Sequence, residues 1–170
     1  MKAMKTQLFV AVVVILSLFL INSNPVLAVQ GNIINIPYSA FAPGPNTGSS
    51  YLQAVYFGYI QYTGATYGWF ISSINLPKGC TKIDKLSLFV ANPGTQGIEV
   101  HFYRMSMSKG IPEQIGYIVN HTTSIGIVKI DIPLDLTKNT VTSEYFYTLV
   151  VALKPDVELY GAKVKYTSAP

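Results

Sequence analysis

Residues 82–91, KIDKLSLFVA, and residues 127–132, IVKIDI, carry the pattern that decides the fold of this chain. In both segments apolar residues occupy every second position: Leu86, Leu88 and Val90 in the first, and Val128, Ile130 and Ile132 in the second. Successive side chains of a β-strand point to opposite faces of the sheet. Both segments are therefore predicted strands with one buried face, and Lys129 and Asp131 fall on the face in contact with water.

Other segments have the β-branched and aromatic composition of strands, and turns rich in Gly and Pro separate them. The predicted strands are residues 32–36, 52–62, 68–74, 82–91, 98–105, 114–120, 127–132, 144–153 and 156–166. About nine short strands at this spacing predict an all-β fold. We expect a single antiparallel β-sandwich of jelly-roll type, with a closed barrel as the less favoured alternative.

The start of the chain has the order of regions found in a secretory signal peptide. Lys2 and Lys5 precede an apolar run over residues 8–21, and a site acceptable to a signal peptidase follows between Ala28 and Val29. The apolar run is shorter than the about 20 residues that a membrane-spanning helix needs. Cleavage is therefore favoured over anchoring, and no membrane span is expected in the mature chain.

Cleavage would divide the chain into a signal peptide, residues 1–28, and one β-sandwich domain, residues 29–170. It would lower the number of Lys and Arg residues from 12 to 10 against 8 acidic residues, and the net charge from +4 to +2. The remaining lysines are scattered along the sequence, so a nucleic-acid partner is not indicated. The predicted location is secreted, which includes the extracellular space, the periplasm and the cell surface.

Cys80 is the only cysteine, so the chain cannot form an intramolecular disulfide and its stability must come from the core. Its thiol is predicted to be free and buried as a small apolar group after the turn at residues 77–79. An intermolecular disulfide and a catalytic thiol are the alternatives, and nothing local is typical of a thiol enzyme.

Four segments carry a resemblance to a known group of proteins. They are residues 75–83, NLPKGCTKI; residues 92–94, NPG; residues 100–104, VHFYR; and residues 159–166, LYGAKVKY. This order resembles an uncharacterised group of secreted bacterial β-sandwich domains. The resemblance implies a fold and carries no functional residues across. Where that group usually has Leu-Pro-x-Gly-Ala, this chain has Cys80 in the last position.

Chemistry-bearing residues are few. Glu99 and His101 share a strand face with Tyr103, a spacing that could supply two metal ligands or a carboxylate that orients an imidazole. No third ligand can be located, and a solvated strand face is the favoured interpretation. The sequence has no nucleophile elbow and no Gly-rich phosphate loop, so we predict no catalytic residue and no cofactor.

Aromatic residues are enriched across the second and third predicted strands and the turn between them, where five of them are candidate binding residues: Tyr56, Tyr59, Tyr62, Tyr67 and Trp69. Such side chains can stack on sugar rings or anchor a protein interface, although aromatic residues of strands are more often core. Residues 120–122, NHT, form a glycosylation sequon at Asn120 that matters only in a host that glycosylates it.

Three functional hypotheses follow. The first is a non-catalytic exported protein that acts by binding or by assembly with copies of itself, in which residues 29–36 add as a strand to a neighbouring subunit. The second is a carbohydrate-binding module that uses exposed aromatic residues to hold a glycan. The third, a hydrolase or metalloprotein based on Glu99 and His101, is the least favoured.

Overall fold

The computed structural model describes residues 28–29, 32–45, 47–92 and 97–169. The strands of these residues are β1 Ala28–Val29, β2 Ile33–Pro37, β3 Ala42–Pro43, β4 Tyr51–Ala54, β5 Tyr59–Tyr62, β6 Gly68–Ile74, β7 Cys80–Asn92, β8 Ile98–Ser106, β9 Pro112–Asn120, β10 Ser124–Ile132, β11 Tyr145–Leu153 and β12 Glu158–Ser168. A short 3-10 helix covers Tyr38–Ala40. The predicted signal peptide lies outside the described residues except for Ala28.

The strands form two antiparallel sheets. In the larger sheet, of seven strands, β12 pairs with β7 along one edge and with β2 and β5 along the other. β10 extends the sheet beyond β7, β1 lies outside β2, and β4 lies outside β5. The smaller sheet has the order β3-β6-β11-β8-β9. The predicted β-sandwich is confirmed, and the two separate sheets exclude the barrel.

The alternation that predicted the fold reappears as the register of two paired strands. Val128, Ile130 and Ile132 of β10 lie opposite Val90, Leu88 and Leu86 of β7. The three β7 residues are at most 1% exposed because they face the smaller sheet across the core. Burial of such side chains contributes about 1.5–3 kcal/mol each to folding.

No helix among the described residues has the length and apolar character needed to cross a membrane.

One predicted strand was wrong. Residues 52–62 form a hairpin in which Ala54 of β4 pairs with Tyr59 of β5. Gly58 closes the turn with a φ of 74°, which disfavours residues with a side chain, and its N–H donates to the Ala54 carbonyl at 2.8 Å. The turn residues Val55, Tyr56 and Phe57 are exposed, so their apolar character hid the turn from the sequence pattern.

The strand that the assembly hypothesis needs for a neighbouring subunit lies in the sheet of its own chain. β2 pairs with β12 from Pro37 opposite Gly161 to Ile33 opposite Lys165. Ile34 and Ile36 are 0% and 1% exposed in the core. Release of β2 would therefore expose two apolar side chains and leave one edge of β12 unpaired.

Candidate functional site

The outer face of the smaller sheet gathers aromatic and polar side chains, which we call the aromatic face: Tyr67, Trp69, Glu99, His101, Tyr103 and Tyr117. Phe70 and Phe102, the neighbours of Trp69 in β6 and His101 in β8, are 0% exposed in the core. Alternation therefore points Trp69 and His101 outward. Tyr117 lies directly opposite His101 in the β8–β9 register.

Ring contacts hold the aromatic face together, and His101 is the central ring. It lies 5.6 Å from Trp69, 4.9 Å from Tyr117 and 5.7 Å from Tyr103, to which it is nearly parallel at 6°. Tyr67 meets Trp69 edge-on at 5.6 Å. These centroid separations fall in the range of about 4.5–7 Å at which aromatic pairs attract each other. The rings therefore form a surface that is organised before any ligand arrives.

An apolar cluster underlies these rings. Ile71 and Val150 point to the outer face of the sheet, yet each is only 4% exposed. Trp69 and Tyr103 lie against them and exclude water. Trp69 and Tyr103 are themselves only partly buried. The remaining ring surface is available to a ligand.

A chain of hydrogen bonds fixes the polar groups of the face. His101 Nε2 lies 3.0 Å from Glu99 Oε1, and Tyr103 Oη lies 3.2 Å from His101 Nδ1. Tyr117 donates its hydroxyl to the same Glu99 oxygen at 3.2 Å. Nε2 therefore donates to the carboxylate, and Nδ1 pairs with a hydroxyl that can donate or accept. Both ring nitrogens are engaged, so the residues position one another rather than offer a free base.

The two tyrosines remain protonated at ordinary pH. Burial, reinforced by the negative charge of Glu99, raises the pKa of Tyr103 to about 12. The same two causes raise the pKa of Tyr117, and its hydrogen bond to Glu99 adds to them. The carboxylate of Glu99 is 39% exposed. The face thus offers hydroxyl groups and one accessible acceptor beside its rings.

The weak metal-site prediction gains no third ligand. Glu99 and His101 are adjacent, but they bond to each other, and the described residues contain no group of three or more His, Cys, Asp or Glu side chains that could hold a metal ion. The structure instead places Glu99 and His101 beside Trp69 on the aromatic face.

The five aromatic residues predicted as one binding patch separate into four places. Tyr62 is 5% exposed and belongs to the core, which removes it from the candidates. Tyr56 is fully exposed at the tip of the β4–β5 hairpin, and Tyr59 contacts Tyr160 on the outer side of the larger sheet. Only Tyr67 and Trp69 lie on the aromatic face.

Tyr117 was missed, and Tyr103 was noted only as a neighbour of His101. The two-residue spacing had already placed Tyr103 on the strand face of His101, but it was not among the predicted binding residues. Tyr117 could not have been found from the sequence, because its place opposite His101 depends on the β8–β9 register, which slips between Phe102 and Tyr103.

The remaining predicted positions lie elsewhere. Cys80 is a free thiol, 8% exposed, and burial raises its pKa. Asn120 is partly exposed at the end of β9, where its side-chain oxygen accepts the Thr122 N–H at 2.8 Å.

Comparison with known proteins gives likeness in structure alone. No protein-family model matches the sequence, and no curated protein is similar to it in sequence. Among solved structures, the chain is similar to the CBM22-1 xylan-binding domain of Xyn10C from Paenibacillus barcinonensis. The TM-score is 0.51 at 13% identity, with 84% of this chain and 99% of that domain covered.

A second similar structure is the C-terminal CBM6 of LamC, a marine laminarinase from Zobellia galactanivorans. It has a TM-score of 0.50 and 11% identity, and the match covers 79% of this chain and 99% of that module. At these identities the likeness establishes the fold. The chain therefore has the β-sandwich fold found in carbohydrate-binding modules.

Proposed function

We propose that this protein is a non-catalytic carbohydrate-binding module that holds a neutral glycan on the aromatic face. The observation that carries the proposal is a sheet face whose partly exposed rings are fixed by contacts centred on His101. Flat ring surface suits the apolar face of a sugar, and it costs little entropy when the rings are already ordered.

The polar groups of the face match the hydroxyl groups of a sugar. The tyrosine hydroxyls can donate and accept, and the Glu99 carboxylate accepts from adjacent hydroxyls. Lys154 stands 5.7 Å from the Tyr67 ring at one end of the face. One carboxylate and one ammonium leave no excess charge there, which favours a neutral ligand over a charged one.

The fold supports this proposal over assembly by strand exchange. The similar solved structures include a xylan-binding domain and a module of a laminarinase, so xylan and laminarin are the first ligands to try. The assembly hypothesis has no comparable support, because β2 is paired within its own sheet. A secreted location, which the signal-peptide prediction implies, would bring the protein to polysaccharides outside the cytoplasm.

The test compares two variants that each replace one aromatic residue by alanine. Titration calorimetry with xylan and laminarin oligosaccharides measures affinity for the wild type, Trp69→Ala and Tyr56→Ala. Loss of a central aromatic contact costs at least about 2 kcal/mol, which is about 30-fold in affinity. We expect this loss for Trp69→Ala and unchanged affinity for Tyr56→Ala, since Tyr56 lies at the hairpin tip.

The reverse result would move the site to the β4–β5 hairpin. Absence of binding to these oligosaccharides and to a broad panel of neutral glycans would contradict the proposal as a whole. Circular dichroism of both variants checks that the sandwich is intact.

A further inference from the structure

The outer face of the larger sheet holds a cleft of about 430 Å³, on the opposite side of the sandwich from the aromatic face. The lining residues that shape it are Asn35, Pro37, Phe89, Tyr160, Gly161 and Lys163. The volume falls within the about 300–1,000 Å³ of small-ligand sites. None of these residues belongs to the aromatic face, so the cleft is an independent feature.

A glycine bulge creates the cleft. Gly161 lies in the middle of β12, between Phe89 of β7 and Pro37 of β2. Its φ of 144° disfavours other residues, and a side chain there would collide with the carbonyl oxygen of Ile36. The floor of the cleft is therefore bare backbone, with an aromatic ring on one side and a pyrrolidine ring on the other.

The next outward-facing residues along the same three strands are polar. Lys163 lies between Ser87 of β7 and Asn35 of β2. Its ammonium stands 5.7 Å from the centre of the Phe89 ring, inside the about 6 Å at which a cation is attracted to an aromatic face. The cleft thus combines the Phe89 ring, the Lys163 ammonium and the Asn35 carboxamide at adjacent outward positions of three neighbouring strands.

The surrounding charges are mainly positive. The outward positions around the cleft carry Lys85, Lys129, Lys163 and Lys165, against the carboxylates of Asp131 and Glu158. A third carboxylate, Asp84, lies further along β7 and accepts the Thr167 hydroxyl at 2.8 Å. Asp131 is bonded to Lys85 at 2.7 Å and lies 3.6 Å from Lys129. This carboxylate is therefore engaged on the β7–β10 side, and the excess charge lies on β12. Glu158, one row beyond Tyr160, accepts the hydroxyl of that tyrosine at 2.7 Å.

We propose that this cleft binds an acidic polysaccharide, with one sugar ring between Phe89 and Pro37 and its anionic group on Lys163. The ring surface fits the apolar side of a sugar, the ammonium complements a carboxylate or sulfate, and Asn35 can bond to hydroxyls. The protein thereby has two faces for two classes of glycan, neutral on the smaller sheet and anionic on the larger sheet.

The experiment measures binding to polygalacturonate, dextran sulfate and uncharged dextran by affinity electrophoresis and calorimetry. Protein carrying Trp69→Ala, which lacks the central ring of the neutral-glycan site, binds at least one anionic polymer and not dextran, and the preferred polymer tells a uronate from a sulfate ligand. A hydrogen bond between charged partners contributes about tenfold or more in affinity, so Lys163→Gln weakens binding by about that factor and Lys163→Arg retains it.

The matched control is Lys165→Gln, which removes the same charge from the same strand and face outside the cleft. Its effect should be small, at most about twofold, because an exposed charge is screened by salt. Equal losses of affinity in Lys163→Gln and Lys165→Gln would show that the polymer is attracted by the overall charge of the face, which would overturn the proposal. Absence of binding to both anionic polymers would also overturn it.

Trp69→Ala separates this proposal from the neutral-glycan site. It should leave binding to the anionic polymer unchanged. Loss of that binding would place the anionic ligand on the aromatic face and overturn the proposal, whereas failure of xylan and laminarin to bind leaves this result intact.

Discussion

The burial of Tyr147 predicts that the free energy of unfolding of the sandwich falls at alkaline pH. The side chain is 2% exposed in β11, with its ring 6.1 Å from that of Phe102. Burial raises the pKa of its hydroxyl from 10.0 to about 12, because the phenolate would lose its hydration. A raised pKa in the folded state means that stability is fully present below pH 10 and lost as the pH rises toward 12.

The size of the effect follows from linkage. With pKa values of 10 in the unfolded state and about 12 in the folded state, Tyr147 lowers the free energy of unfolding by about 1.4 kcal/mol at pH 11. The full difference between the two protonation states is about 2.7 kcal/mol, reached above pH 12.

The assay is urea unfolding at pH 8 and pH 11 for the wild type, Tyr147→Phe and Tyr56→Phe. The wild type and the control lose the same free energy between the two pH values, since Tyr56 is fully exposed. Tyr147→Phe loses about 1.4 kcal/mol less, and lysine titration cancels in the comparison. Equal losses in all three proteins would refute the claim that burial of Tyr147 contributes to the loss of stability at alkaline pH.

Three further predictions concern single positions. Leu149→Ala, at a position 0% exposed in β11, lowers the free energy of unfolding by about 2–5 kcal/mol, measured from the urea midpoint, while an unchanged midpoint would contradict its place in the core. Gly161→Ala destabilises the fold by about 1–3 kcal/mol because of its φ of 144°, and a thermal melt that matches the wild type would show that β12 tolerates a side chain there. Cys80 reacts slowly with a thiol reagent in the native protein and rapidly in urea, since burial raises its pKa; equal rates would mean that the thiol is accessible.

Most strands could be predicted because each needs only local information. β6 has the predicted bounds, Gly68–Ile74, and β8 and β9 differ from the prediction by at most two residues at an end. The exception is the hairpin of β4 and β5, where Val55, Tyr56 and Phe57 have strand-like composition but are exposed in a turn. Composition indicates which residues favour a strand, and it does not reveal where an apolar turn interrupts one.

The candidate site, in contrast, could not be predicted from local sequence. Because they are close in sequence, the aromatic residues from Tyr56 to Trp69 were predicted to form one patch. Tyr62 instead points into the core, while the aromatic residues before and after it in the sequence point outward. The aromatic face instead joins β6 to β8 and β9, which β11 brings together. A contact between Trp69 and His101 depends on strand order, and no local pattern encodes strand order.

By itself, the sequence determined the all-β class, the buried side of each alternating strand and the absence of an intramolecular disulfide, because a period of two residues and a count of cysteines are properties of the chain alone. The tertiary structure decided which outward residues meet. Trp69 lies beside His101, a cleft lies at Gly161 next to Lys163, and β2 pairs within the sheet of its own chain. These are contacts between residues distant in sequence, and the free energy of closing the whole sandwich selects them together.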